Sequence, residues 1–518
     1  MNSIKKNLNL IYVTILIFFS FFINFYYSKI GAYPIDTFLH YDSAYRIING
    51  EHPVKDYWIA SGFLVDYIQS IFFKLFDVNW NSFIIHSSLF NSILTILLYY
   101  FLIKKKINKS KVFIYCVSFA ILGYTISGTP FVDQHATFFF LISSLLIIYN
   151  LELQKNYIWI LIIFLFFFSF LSKQVPAAYG AIIYTFLLSF YFFYSKKLNQ
   201  IRIIFFSIFA AITILFIFLL IVKISITDFI LQYLLYPRTI GENRFENFNI
   251  TFNSIFNQFK FIFVPLIIYC FLYYKNFKKK KTEFYYTKIL PPLFVISLTF
   301  ILLFHQIMTK NQIFIYFLIP ILIGFIEIEL GIINIKHKSF ISVIMIIFLI
   351  IVTTKYHLRY NDARKFHELE RTKLSIAVDA RKIDNSLIGL KWVNPHFDNS
   401  PLEEIKILLK AKNILNTNNN QNIMLITHYS FFDSITSVKL NSPSRAYDQV
   451  SLPLINNKHS KLFKKFLITK IKKKNISSIY FFRHEKFPKK NITSYFKKKC
   501  LNNFKNEIFL IYKIKCLE

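Results

Sequence analysis

Glycine is scarce in this chain, 10 of 518 residues, or about 2% where a globular protein averages roughly 7%. That scarcity argues against a collagen-like repeat, flexible glycine linkers and folds built on several nucleotide-binding turns. The spacings GxGxxG, GxxxxGK[ST] and HExxH, which cradle phosphates or hold zinc, do not occur. Cysteine is nearly absent as well. Of the four, Cys116 and Cys270 lie inside apolar stretches and Cys500 and Cys516 in a polar tail, so neither a disulfide scaffold nor a CxxC metal site is written here. The tail pair has two open readings, a disulfide in an oxidising compartment or two free thiols. Acidic residues are few, 27 against 61 Lys and Arg, for a formal net charge of +34. In a soluble protein that surplus would point to nucleic acid. With 55% hydrophobic residues, however, too little polar surface remains to keep a soluble domain dispersed, and no nucleic acid partner is expected.

What the sequence does contain is long apolar runs, at about 8–27, 82–103, 112–127, 136–151, 157–171, 177–195, 203–222, 260–274, 289–305, 312–330 and 340–354. Runs of about 20 apolar residues cross roughly 30 Å of hydrocarbon. The first has no small-residue cleavage site after it and reads as an anchor. Lysine clusters at 104–111, 196–202 and 275–288 fall on one side of the alternating loops, which marks that side as cytoplasmic. The loops at 28–81, 128–135, 172–176, 223–259 and 306–311 then lie outside, with the N-terminus cytoplasmic. The expected fold is a polytopic α-helical membrane protein of about eleven spans over residues 1–354, followed by an extracytoplasmic α/β domain over 355–518. In that tail, Ile423 to Thr427, Ile476 to Phe482 and Ile508 to Ile514 read as strands, and Leu402 to Leu415 and Lys461 to Lys474 as helices. Its basic surplus suits anionic headgroups, or records AT-rich codon usage.

The first outer loop carries Asp36, then Asp42 and Arg46, then Gly50, Glu51, Pro53 and Asp56. Asp36 to Asn49 suits an amphipathic helix with Pro34 near its start and Gly50 after its end. Gly62 to Phe76 reads as a second amphipathic piece lying in the interface. A carboxylate at that surface can take the proton of an acceptor hydroxyl or amine as it attacks a phosphate-activated carbon. An Asp fourteen residues before a Gly, then G-x-x-P-x-x-D, resembles the first outer loop of the GT-C superfamily of polytopic glycosyltransferases, through Asp36, Ala44, Arg46, Gly50, Pro53 and Asp56. Its bacterial branches include the protein O-mannosyltransferase-like and aminoarabinose-transferase-like enzymes. The resemblance implies a GT-C-like membrane domain, a polyprenyl-phosphate-linked sugar donor, inverting transfer at the extracytoplasmic face of a bacterial inner membrane, and a first-loop Asp as base. By position that role falls on Asp36, with Asp42 as runner-up and Arg46 and Asp56 as substrate-binding groups. Val54 replaces the usual aromatic, and Ala60-Ser61-Gly62 the usual Pro-Pro, so no subfamily follows.

In the second outer loop Asp133 and His135 resemble the acidic loop that many members place beside that Asp, where it serves acceptor, donor or metal; an N-cap role for Asp133 is the plainer alternative. Lys173 and Gln174 stand at the outer end of a span, against the positive-inside preference, where an ammonium can pair with the donor phosphate or snorkel to headgroups. Arg238 and Arg244 in the long loop can hold phosphate oxygens bidentately or meet solvent. His305, Lys310 and Asn311 complete a phosphate or sugar pocket or form a plain polar turn. His86, within a span, reads as a helix-to-helix hydrogen-bonding group. No cofactor is written in these residues, and a divalent metal is left open. The acceptor is a lipid, glycan or protein, with membrane lipids as further partners. Two other classes compete: a glycolipid flippase or other transporter, and a non-catalytic anchor presenting a basic domain to cell-wall polymers.

Overall fold

The computed structural model describes residues 2–517 apart from 125–127, 247–250, 280–284, 310–313, 334–336, 364–368, 370–371, 398–399, 419–421, 449, 486 and 488. Runs of Phe, Ile and Leu form helices because only a helix satisfies every backbone group from within one segment in hydrocarbon. Among the described residues nine helices are long and apolar enough to cross a membrane: Leu8–Tyr27, Trp80–Lys104, Val132–Leu153, Ala177–Ser195, Leu198–Val222, Asn253–Lys278, Ile289–Met308, Ile315–Ile332 and Lys338–Asn361. This is a multi-pass membrane protein. The other two apolar runs also fold as helices, Lys109–Gly123 of 15 residues and Asn156–Ser172 of 17. Both fall short of the roughly 20 residues a span needs, so the described residues give nine full-length spans where about eleven are expected.

The chain divides into two compact units. The first comprises residues 1–27, 84–215 and 244–366. Its interior is the helix Leu318–Ile332, where Ile319, Ile323 and Ile326 are fully covered, while Phe193, Phe206 and Phe209 on other helices are widely exposed. Exposed Phe is the expected surface of a helix bathed in lipid. Close helix packing needs small residues: a Cβ on Gly324 would stand 2.8 Å from Leu102 Cδ2.

The second unit comprises residues 28–83, 216–243 and 367–518. Two segments that the sequence reads as outer loops thus fold together with the tail. The tail pairs β1 (Val378–Asp379) with β2 (Lys391–Trp392) and builds a four-stranded sheet from β3 (Ile423–Ile426), β4 (Ser478–Phe482), β5 (Leu501–Lys505) and β6 (Phe509–Ile514). The sheet order is β3-β4-β6-β5, with β3 and β4 parallel and the other pairs antiparallel. The helix Ser460–Lys473 makes the crossover between the parallel strands, packing Phe463, Leu467 and Ile471 on Met424, Ile426, Ile479 and Phe481. β4 is buried along its whole length, as a central strand must be, whereas the edge strand β5 is exposed through Asn502, Asn503 and Lys505, a polar edge that resists further pairing. Cys500 and Cys516 form a disulfide across the open end of the β5–β6 hairpin, with Cα atoms 4.9 Å apart.

The first-loop segment is woven into this unit by its backbone. Gly31 N–H donates to Lys391 O (2.9 Å) and Ala32 N–H to Val393 O (3.0 Å), extending the edge of β2. Trp58 N–H donates to Pro443 O and receives Arg445 N–H on its own carbonyl, at 2.9 and 3.0 Å. The helix Pro34–Ile48 buries Phe38 against Trp80, Trp392 and Phe431. Aromatic contacts of this kind add to what area burial alone supplies.

Candidate functional site

In the first unit three helix ends bring three sequence-predicted residues together. Asp133 lies in the first turn of Val132–Leu153, where the positive end of the helix favours a carboxylate. Lys173 is the residue after Asn156–Ser172, and His305 lies in the last turn of Tyr285–Met308. Lys173 Nζ donates to both carboxylate oxygens of Asp133, at 2.6 and 2.7 Å. His305 Nε2 stands 3.5 Å from Asp133 Oδ1. Asp133 and His305 are essentially fully buried and Lys173 nearly so. His305 Nδ1 is buried and makes no hydrogen bond among the described residues. Arg244 donates to the carbonyl of Met308 at 3.4 Å, three residues beyond His305. Lys310 and Asn311 lie outside the described residues.

His135 sits two residues after Asp133 and stacks on Phe90, with ring centroids 4.1 Å apart. Its Nδ1 is 3.0 Å from Phe131 O; a carbonyl only accepts, so Nδ1 carries the hydrogen. Its Nε2 then meets His86 Nε2 at 3.0 Å, a contact from one helix to another. Gln174 is half-buried, and its carbonyl receives Ala178 N–H at 2.9 Å.

The second unit holds the first-loop residues. Asp36 is half-buried in the first turn of Pro34–Ile48. Two turns on, Asp42 and Arg46 are buried on the same helix, Asp42 Oδ2 lying 3.8 Å from Arg46 Nη1. The Arg46 guanidinium is turned into the protein. It donates through Nε and Nη2 to Glu51 Oε2 (3.0 and 2.9 Å) and through Nη2 to Ser442 O (2.9 Å), and it lies 3.9 Å over the Tyr57 ring. Lys470 joins the same interior, donating to Asp56 O (2.7 Å) and Ser442 O (2.8 Å). The Asp56 carboxylate accepts His52 N–H at 2.9 Å and so shapes its own turn. Arg238 is exposed and pairs with Glu242 one turn along its helix, at 2.8 Å.

Electrostatics in this interior are set by burial against neighbouring charge. Burial alone would raise Glu51; Arg46, Lys470 and Lys439 overcome it and hold the carboxyl well below the usual range. Asp42 goes the other way, since burial together with Asp433 and Glu51 outweighs Arg46 and Lys470. Lys470 is lowered to about 7 by burial and by Arg46. Asp433, Glu51 and Lys470 are members of this network that the sequence did not single out. Only the i, i+4 spacing of Asp42 and Arg46 signalled it.

A third group occupies the tail. Glu404 accepts from Trp392 Nε1 (2.8 Å), Tyr429 Oη (2.7 Å) and the Asn394 amide, and burial raises it to about 7. Glu485, after β4, accepts His428 N–H at 2.7 Å; burial raises it to about 8, with a contribution from Glu404.

No group of three or more His, Cys, Asp or Glu placed to hold a metal occurs among the described residues. Both oxygens of Asp133 are taken by an ammonium, which is not the donor set of a cation site.

The fold is that of a polytopic helical membrane protein carrying a small sheet-containing unit. No family model matches this chain, and no curated protein matches it closely enough in sequence to count as a relative. Among solved structures it is similar to the archaeal oligosaccharyltransferase AglB from Archaeoglobus fulgidus, solved in complex with an inhibitory peptide and a dolichol-phosphate. The likeness has a TM-score of 0.47 at 13% identity and covers 92% of this chain and 70% of that one.

Proposed function

We propose that this protein is an integral membrane glycosyltransferase that moves a sugar from a polyprenyl-phosphate-linked donor to a lipid, glycan or protein acceptor at the extracytoplasmic face of a bacterial inner membrane. The observation that carries the reading is the convergence of Asp133, Lys173 and His305 from three helix ends, where Lys173 is expected from the sequence to pair with the donor phosphate, His305 to complete a phosphate or sugar pocket and Asp133 to serve acceptor, donor or metal. A buried ammonium, an unsatisfied imidazole nitrogen and the nearby Arg244 suit an oxygen-rich anion. In the proposed reaction the acceptor oxygen or nitrogen attacks C1 of the sugar while the bond from C1 to the phosphate oxygen breaks. The acceptor proton passes to a carboxylate base, a role that the first-loop resemblance alone gives to Asp36, and the electron pair leaves with the phosphate. Lys173, His305 and Arg244 stabilise the charge that develops there. Asp133 is a positioning residue for Lys173 on this reading. No step is routed through a metal.

The test is transfer of radiolabel from a polyprenyl-phosphate sugar to candidate acceptors by the purified protein in lipid. Transfer that disappears in Asp36→Asn, with the variant still folded, supports the reading. Full transfer by that variant removes Asp36 as base. Movement of the glycolipid across the bilayer without transfer would favour a flippase instead.

A further inference from the structure

Two spans of the first unit carry lysine at both ends, and at one end it caps a lipid-facing apolar stripe. Between Gln258 and Tyr274 of the span Asn253–Lys278 the exposed positions are Lys260, Val264, Ile267, Phe271 and Tyr274, spaced as one helix face. On Lys338–Asn361 the exposed positions from Val343 to Ile351 are all Val or Ile, and the exposed face continues through Thr354, Lys355, Leu358 and Arg359. At 1.5 Å per residue, Lys260 stands roughly 27 Å from Lys278, and Lys355 roughly 26 Å from Lys338. Those separations are close to the ~30 Å of hydrocarbon that a span crosses, so Lys260 and Lys355 reach one headgroup layer and Lys278 and Lys338 the other. A membrane protein keeps its cations mainly on one side. Lysine at the second end of both spans therefore calls for a reason.

The two spans meet at Phe261, whose ring centroid lies 6.1 Å from those of Phe348 and Tyr356. Lys355 Nζ stands 4.6 Å and Lys260 Nζ 5.6 Å from that same ring centroid. Arg359 follows one turn beyond Lys355 and acts electrostatically on Tyr356, which packs on the ring as well. Other lysines of this unit, Lys105, Lys111 and Lys173, meet carboxylates at 2.6, 2.9 and 2.6 Å. Among the described residues no carboxylate pairs with Lys260, Lys355 or Arg359. A ring face attracts an exposed cation only weakly, and ammoniums gathered at one ring beside hydrocarbon repel one another with little solvent to screen them. An anion relieves that repulsion. We propose that these three side chains hold the phosphate of one anionic two-chain phospholipid, of the phosphatidylglycerol class, with its acyl chains along the two stripes. Charge complementarity selects the headgroup, since a choline or ethanolamine lipid would bring a fourth cation to the site. The paired stripes select two acyl chains over the single chain of a polyprenyl phosphate. The inference rests on the membrane spans and not on the transfer reaction.

The test uses full-length protein, delipidated in detergent and titrated with dioleoyl phosphatidylglycerol, dioleoyl phosphatidylcholine or undecaprenyl phosphate, with bound lipid counted by native mass spectrometry. The unaltered protein should hold one phosphatidylglycerol in preference to phosphatidylcholine. The double variant Lys260→Gln with Lys355→Gln should lose that preference by roughly 25-fold, at about five-fold for each cation near a headgroup. Replacing both lysines by Arg, which keeps the charge, should retain it. Lys275→Gln with Lys278→Gln, at the other end of the first span, should leave it unchanged. An unchanged preference in the Lys260, Lys355 double variant would overturn the inference. An equal loss in the Lys275, Lys278 control would overturn it too, by showing diffuse attraction to a basic protein. So would a preference for undecaprenyl phosphate over phosphatidylglycerol that the Lys260, Lys355 variant loses. Should that variant fail to fold, Arg359→Gln alone repeats the measurement with an expected loss of about five-fold, and no loss there would count against the site.

Discussion

Arg46 gives two hydrogen bonds to one carboxylate oxygen of Glu51, five residues along the chain, from Nε at 3.0 Å and Nη2 at 2.9 Å. The pair closes the turn at Gly50, where φ is +78°, and Nη2 reaches on to Ser442 O in the tail. A residue that the sequence offers as a substrate contact is therefore a bolt between first loop and tail. Removing one partner of a buried pair leaves the other charge uncompensated. Arg46→Met should lower stability by roughly 3–5 kcal/mol, seen as an earlier thermal midpoint in detergent. Glu51→Gln, which keeps an acceptor oxygen, should cost less. Equal midpoints for Arg46→Met and the unaltered protein would show that the bolt carries no load.

Asp36 is half-buried in the first turn of its helix, and Asn matches it in size and shape. Asp36→Asn should therefore leave the thermal midpoint unchanged while sugar transfer falls by about 100-fold or more, the range for losing a general base. Transfer and melting measured on the same preparation decide the point.

Lys173 and Asp133 neutralise one another in an apolar setting. Lys173→Met should be destabilising, and the double variant Lys173→Met with Asp133→Asn should recover stability, because no lone buried charge remains. Transfer should not recover, since the ammonium for the leaving phosphate is still missing. A double variant that regained transfer would make the ion pair structural only.

Glu404 and Glu485 make stability depend on pH in a direction opposite to acid denaturation. Their folded values, about 7 and about 8, lie above the unfolded glutamate value near ~4.3. Between those limits the folded state holds protons that the unfolded state has lost, so stability falls as pH rises. The full contribution is present below the unfolded value and is gone above the folded one. Lys470, lowered to about 7, contributes with the opposite slope from there up to ~10.4, because the unfolded chain then binds the extra proton. Glu485→Gln should flatten the decline between mildly acidic and neutral pH, measured as thermal midpoint against pH. An unchanged slope in that variant would contradict a protonated Glu485.

The sequence by itself located the apolar helices, though not the number of full-length spans, because crossing hydrocarbon demands apolarity that can be counted locally. It also located the tail helices Pro401–Thr417 and Ser460–Lys473 and strands β3, β4 and β6, each carrying an apolar pattern of its own. Strand β5, Leu-Asn-Asn-Phe-Lys, carries none, since an edge strand need bury neither face. Asp133, Lys173 and His305 could each be singled out from loop position, but their meeting depends on how helices far apart in sequence pack. The disulfide was open for the same reason. Only the tertiary structure decided that residues 28–83 belong with the tail, and that Arg46 and Asp42 face inward. Those outcomes follow from backbone hydrogen bonds and buried charge between residues almost 400 apart in the chain, such as Arg46 and Ser442, where no local pattern records the partner.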